Sequence, residues 1–246
     1  PLAAKAVEVL VGIGRLDLAG VDVRDGQVSI GALTRLSDLL SSQVKSEAPL
    51  VYDAARRCAT PIIRNMATLG GCLAVAHLPS DLAVALLAMD ARLEVLRDQE
   101  TQISVEDLLA RGWLKGHDLI CRITANRRRD SQGWSFSKFG RSAIDIALVN
   151  VGVLVDLSDG GKVDDLRIAV GQSYSLPVLL KHVAEDAKDK RLTRALIENL
   201  SRAAANSIKP KSDFRASAEY RKHLVEVMAA RSLFEAVTKA GLNLES

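Results

Sequence analysis

The chain has 246 residues, enough for one large domain or two ordinary ones, and 33 Lys and Arg against 30 Asp and Glu leave a formal charge of +3. So small an excess argues against a protein that neutralises many phosphates of a nucleic acid, and 4 Phe, 3 Tyr and 2 Trp are too few for stacking platforms along a single strand. A hydrophobic share of 48% with 26% charged excludes long disorder, while the longest run free of Asp, Glu, Lys and Arg, Asn65 to Ser80, is too short to span a membrane.

In chain order, Val7–Ile13 reads as a short strand, and Val28–Ile30 as another behind the turn Arg24-Asp25-Gly26. Thr34 is placed to cap a helix over Arg35–Leu40, and Pro49 to open one over Leu50–Cys58 that Thr60-Pro61 ends. Ser80-Asp81 precedes the helical run Leu82–Met89; Arg92–Arg97 alternates as a strand does; Ser104 caps Val105–Arg111; Leu119–Ala125 returns to strand. The polar stretch Arg127 to Gly133 marks a boundary, predicting domains over residues 1–132 and 133–246. Its three adjacent arginines suit either a solvated loop or a phosphate grip.

Beyond it, Ile146–Leu157 is a long apolar strand, Ser158-Asp159-Gly160-Gly161 a hairpin turn, and Leu166–Val170 its partner. Helices are expected over Pro177–Asp186, Thr193–Ser207 and Ala216–Lys239, with Tyr220, Leu224, Val227 and Met228 on the core face of the last and Asp213 or Ser217 as its cap. The second half is therefore a hairpin-led sheet covered by helices, an α+β arrangement. No leader pattern opens the chain at Pro1, and Cys58, Cys72 and Cys121 lack metal-ligand spacing, which suits a reducing, cytoplasmic setting.

The segment richest in chemistry is Thr68-Leu69-Gly70-Gly71-Cys72, followed by Asp81. Paired glycines can bring backbone N–H groups against an oxyanion such as a pyrophosphate, or can simply make a tight turn. Asp81 can accept from ribose hydroxyls or cap its helix. Cys72 is a redox thiol or a small residue filling a tight space. His77, His117, His182 and His223 are scattered without paired spacing, no Gly-x-Ser-x-Gly elbow anchors a hydrolase triad, and three dispersed cysteines cannot hold an iron–sulfur cluster.

Residues 63–91, reading IRNMATLGGCLAVAHLPSDLAVALLAMDA, resemble the second FAD-binding motif of the molybdenum hydroxylase flavoproteins. That family includes the medium subunit of carbon monoxide dehydrogenase and the FAD domain of xanthine dehydrogenase. Ile30-Gly31-Ala32-Leu33-Thr34, Ser137-Lys138-Phe139-Gly140 with Asp145-Ile146-Ala147, and Pro210 through Arg221 are similar to further family segments in the same order.

The resemblance implies a two-domain flavoprotein: a vanillyl-alcohol-oxidase-type FAD-binding domain and a C-terminal α+β domain. It implies that Thr68, Gly70 and Gly71 face the flavin–pyrophosphate region, with Leu69 near the ring, Asp81 on the sugar–phosphate side, Lys138 close to FAD and the strand at Leu119 near the adenine. It further implies a relay: substrate oxidised at molybdopterin on a large partner subunit, iron–sulfur clusters on a small one, and electrons passing through FAD to NAD, a quinone or another acceptor. No side chain of this chain need then be catalytic.

The departures are specific. Cys72 stands where the family has Asn, the spacing from Lys138 to Asp145 is one residue off, and the family's earlier A-G-G motif falls before Pro1, since Val9–Gly20 aligns with the segment after it. A flavin-free scaffold subunit is the alternative these departures imply.

Overall fold

The computed structural model describes residues 9–75, 80–111, 114, 118–172 and 175–244. Strands β1 (Val21–Arg24) and β2 (Gln27–Gly31) form a hairpin, with Asp25 and Gly26 at φ 51° and 76°, the left-handed pair a two-residue turn requires. Helices α1 (Ser42–Glu47), α2 (Pro49–Arg57), α3 (Pro61–Met66), α4 (Leu69–Ala74) and α5 (Asp81–Ala88) follow. Then come β3 (Arg92–Leu96), β4 (Glu100–Ser104), α6 (Val105–Arg111) and β5 (Leu119–Asn126), closing an antiparallel sheet in the order β1-β2-β5-β3-β4. A second antiparallel sheet runs β6 (Gln132–Phe139), β7 (Val149–Leu157), β8 (Val163–Gln172), β9 (Ser175–Leu179) in sequential order. Helices α7 (Lys181–Glu185), α8 (Arg194–Ser207) and α9 (Ala218–Lys239) complete the fold. Among the described residues no helix is long and apolar enough to cross a membrane.

Local signals set most of these ends. Pro49 sits at the first position of α2, and the hydroxyls of Thr60, Thr68, Ser80, Thr193 and Ser217 each accept a backbone N–H of the helix they precede. Four expectations are corrected. Val9–Ile13 pair with no strand and expose Val9, Leu10 and Val11, so apolar alternation found no ladder there; residues 7 and 8 lie outside the described residues. Thr34 caps nothing: its Oγ1 accepts from Gly20 N–H at 2.9 Å and donates to Gly20 O at 3.0 Å, and the helix after it shrinks to a single 3₁₀ turn, Asp38–Leu40. Ser175–Leu179 is a strand, with Pro177 on the sheet edge where its missing N–H is tolerated, and only Lys181–Glu185 is helical. In α9, Tyr220 is partly exposed and meets Phe139 edge-on at 6.4 Å; the core stripe is Arg221, Leu224, Val225, Met228 and their successors at helical spacing.

Two layers meet at α5. All eight of its residues are buried, as an apolar helix without a polar face requires. Burying Leu82, Val84, Leu86 and Leu87 contributes about 1.5–3 kcal/mol each. The helix lies on the second sheet over Gly152 and Gly171: a Cβ at Gly171 would stand 2.8 Å from Val84 Cγ2 and 2.1 Å from Asn150 Oδ1. On the other face of β7, Val149, Val151, Val153 and Val155 join the core under α8 and α9. The α5 contact thus fixes the first sheet's helices against the second sheet, and the cleft beside it holds the site.

Arg221 anchors the start of α9. Fully buried, it donates to Lys211 O at 2.7 Å and to Asp213 Oδ1 at 2.5 Å. The guanidinium, with the Arg215 and Ala216 N–H groups, holds the Asp213 carboxyl well below the usual carboxylate range. The Pro210–Arg221 segment is thereby a structural clamp, with Ser217 as the cap and Asp213 as its brace.

Candidate functional site

Between the layers is a cavity of 540 Å³, within the size range of small-molecule sites. One wall is the N-terminal turn of α4, with Thr68, Gly71 and Cys72; another is the start of α5, with Ser80 and Asp81. Cys58 closes the end of α2, Lys138 arrives from β6, and residues 144–147 cross the opening. Met66, Val75, Ile144 and Ile146 are exposed around it, so its mouth is apolar and its floor polar.

The floor is an ion pair taken out of water. Lys138 Nζ donates to Asp81 Oδ2 at 2.7 Å and to the carbonyl of Arg57, at the end of α2, at 3.0 Å; the two charged side chains are only 7% and 5% exposed. Asn150 Nδ2 donates to Asp81 Oδ1 at 2.7 Å from the second residue of β7. Asp81 occupies the first turn of α5, where the helix dipole favours a carboxylate. Burial nevertheless outweighs Lys138 and Asn150 and pushes its carboxyl above the ordinary aspartate value.

Asn150 went unnoticed in the sequence. It is fully buried, and its Oδ1, pressed against Gly171, has no partner among the described residues. The available signal was one amide inside the apolar run Val149–Val155, a position that needs a polar partner from elsewhere in the fold.

The structure brings Thr68, Gly71, Asp81 and Lys138 to one cavity and places the other expected residues elsewhere. Leu69 and Gly70 are buried behind the wall: a Cβ at Gly70 would stand 2.6 Å from Ala32 Cβ. At Gly71 a Cβ would meet only Thr68 Oγ1, at 3.0 Å. Leu119 lies on β5 opposite Leu96, outside the lining.

The glycine turn does not present bare N–H groups. Leu69 N–H donates to Thr34 O, Gly70 N–H to Ala32 O, Gly71 N–H to Thr68 Oγ1 and Cys72 N–H to Thr68 O. The two glycines therefore serve shape: one lets α4 pack on residue 32, the other leaves the wall open. Arg64 fixes the adjoining bend by donating to the carbonyls of Cys58 and Ala59, each at 2.8 Å. Of the histidines, His182 bonds Ser207 Oγ at 2.7 Å and His223 is exposed, while His77 and His117 lie outside the described residues.

Both cavity thiols are poor nucleophiles. Burial, reinforced by the nearby Asp81 charge and by Cys72, pushes the Cys58 thiol up to about 11, and burial with Asp81 raises Cys72 as well. Cys58 should carry about a hundredfold less thiolate at neutral pH than an exposed cysteine. Alkylation by iodoacetamide, followed by peptide mass spectrometry, should label Cys58 correspondingly slowly and accelerate only as the pH approaches 11.

Comparison with known proteins is consistent along the whole chain. Residues 2–124 match the family described as the FAD binding domain in molybdopterin dehydrogenase, and residues 134–236 match the CO dehydrogenase flavoprotein C-terminal domain. The chain is 31% identical to the glyceraldehyde dehydrogenase medium chain of Sulfolobus acidocaldarius, over 93% of this chain and 83% of that protein. It is equally 31% identical to subunit alpha of the 6-hydroxypseudooxynicotine dehydrogenase complex of Paenarthrobacter nicotinovorans, over 97% and 82%. Its fold superposes on a chain of carbon monoxide dehydrogenase from Hydrogenophaga pseudoflava with a TM-score of 0.85 at 24% identity, covering 90% of this chain and 79% of that one. With both halves matched in order, the chain belongs to the FAD-binding, medium-subunit flavoprotein family of the molybdopterin dehydrogenases.

Proposed function

We propose that the chain binds FAD in the cavity beside α5 and works as the electron-relay subunit of a molybdenum-containing dehydrogenase complex. The observation that carries this reading is the convergence of Thr68, Gly71, Asp81 and Lys138, from three separate elements, on one cavity with an apolar mouth. The fit is to the flavin and ribityl end of the cofactor: apolar side chains suit a planar ring, and the buried acid, hydroxyl and ammonium suit a polyol chain. When bound, FAD supplies two-electron and one-electron redox chemistry that no protein side chain offers.

The chain's own contribution is placement. Lys138 would hold polar groups of the cofactor from the floor of the cavity, while Asn150 and Lys138 together orient the Asp81 carboxylate, which would accept from its hydroxyls. The apolar rim of Met66, Val75, Ile144 and Ile146 excludes water. The partners of such a subunit would be a molybdopterin-binding large subunit and an iron–sulfur small subunit, with NAD or a quinone as acceptor. The domain division at residues 132 and 133 places Lys138 on one unit and Asp81 on the other, so the cavity depends on both.

One observation favours a second reading, a flavin-free scaffold subunit: the N–H groups of the glycine turn are already spent on protein acceptors. Titrating the purified chain with FAD separates the two. Saturable perturbation of the flavin absorption bands, with quenched flavin fluorescence, is expected; a spectrum identical to free FAD at every ratio overturns the relay reading.

A further inference from the structure

Trp134 collects two cations from distant parts of the chain. The Arg128 guanidinium carbon stands 5.6 Å from its ring centroid and Lys239 Nζ 4.7 Å, while its indole N–H donates to Asp53 Oδ2 at 3.3 Å. Beside it Lys45 Nζ lies 5.9 Å over the ring of Tyr52. These side chains line one cavity of 570 Å³, to which Ser42 and Ser46 add exposed hydroxyls. A neighbouring cavity of 620 Å³ shares Ser46 and Arg128 with it.

The arginine triplet is divided by the fold. Arg127 is drawn off to Glu47 at 3.0 Å and Arg129 to the buried Asp156, so Arg128 alone turns onto Trp134. Lys239 is tied from outside by Glu235 at 2.7 Å, and Arg128 by the fully exposed Asp130 at 3.0 Å, where water screens the pair. Lys45 has only the Tyr52 ring among the described residues. The lining thus carries three cations and, among the described residues, one carboxylate, Asp53. A phosphate offers several oxygens and can engage all three cations at once, whereas a carboxylate offers two. The aromatic faces hold the cations in place before a ligand arrives, which lowers the ordering cost of gripping it.

This pocket is separate from the cofactor cavity. Trp134 and Lys138 lie four residues apart on β6, about 13 Å at the usual strand rise. Pro49, at the first position of α2, lines this pocket and Cys58, just past the helix end, lines the other, so the two sites sit at the two ends of one wall. We propose that the Trp134 pocket binds a phosphorylated small molecule, its phosphate held by Lys45, Arg128 and Lys239.

The test uses the purified chain with Trp113→Phe, which leaves Trp134 as its one tryptophan, titrated with inorganic pyrophosphate and with AMP. Saturable change in Trp134 fluorescence that weakens with added salt is expected. Lys45→Ala and Arg128→Gln should each weaken binding about tenfold or more, as loss of one charge-assisted contact does. Lys45 is exposed, so its variant should melt like the parent chain and keep the test readable. Gly71→Val should leave pyrophosphate affinity unchanged. Binding that survives both cation substitutions but disappears in Gly71→Val would assign the anion to the cofactor cavity and overturn the proposal. So would the absence of saturable binding of either probe at millimolar concentration.

Discussion

Gly71→Val is expected to abolish flavin retention while leaving the fold intact, and Gly70→Ala to do the reverse. A side chain at position 71 projects from the cavity wall, where its Cβ meets only Thr68 Oγ1 at 3.0 Å. Valine adds two methyl groups into the volume that the proposed ring would occupy. At position 70 even a Cβ would lie 2.6 Å from Ala32 Cβ and 2.9 Å from Ala32 O. Relieving that clash means moving α4 off residue 32 and lengthening the Gly70 N–H to Ala32 O bond of 2.8 Å. Overpacking of this kind costs about 1–3 kcal/mol, more than the gain of up to roughly 1 kcal/mol from replacing a helical glycine. Thermal melting by circular dichroism and flavin occupancy by absorption should therefore separate the two substitutions. Equal loss of flavin in both, with unchanged melting, would mean that both glycines face the cofactor.

That separation shows what the sequence could and could not disclose about the site. The motif's paired glycines announced a close turn of the chain, but the structure builds the short helix α4 there and uses Thr68, read in the sequence as facing the cofactor, as its cap. Which glycine faces outward depends on the phase of a helix only six residues long, and each step rotates a side chain by about 100°. Leu69 and Gly70 consequently point into the core while Gly71 and Cys72 line the cavity. Asn150 was invisible for a different reason: its partner, Asp81, lies 69 residues away and meets it only because α5 packs across Gly152 and Gly171. Strand edges were similarly illegible. Glu100–Ser104 has a single apolar residue, Ile103, and it is a strand because β3 offers it a ladder from Arg92 to Leu96. The helix starts at Pro49, Ser80, Thr193 and Ser217 were legible, since a hydroxyl or a proline there acts within one turn, whereas the Thr34 hydroxyl is spent on Gly20 instead.

Lys138→Met should destabilise the chain by about 3–5 kcal/mol near neutral pH, the usual effect of stripping one partner from a buried ion pair. Asp81 would keep Asn150 but lose its ammonium, and at 5% side-chain exposure water cannot replace it. In the parent chain burial already raises the Asp81 carboxyl above its ordinary value, and without Lys138 it must rise further. A carboxyl whose folded value exceeds its unfolded one binds its proton more tightly in the folded state. Its stability contribution therefore improves as the pH falls through the folded value and stops changing below the unfolded one. The Lys138→Met variant should thus recover part of its melting temperature in mild acid, over a range where the parent chain changes less. Asp81→Asn added to Lys138→Met removes the buried charge and still offers an oxygen to Asn150 Nδ2. The double variant should regain most of the lost stability, with the extra pH dependence gone. Flavin binding should not return with it, because placing the polar floor of the cavity requires the charges themselves. Recovery of stability and flavin together would instead mean that the pair serves the fold alone.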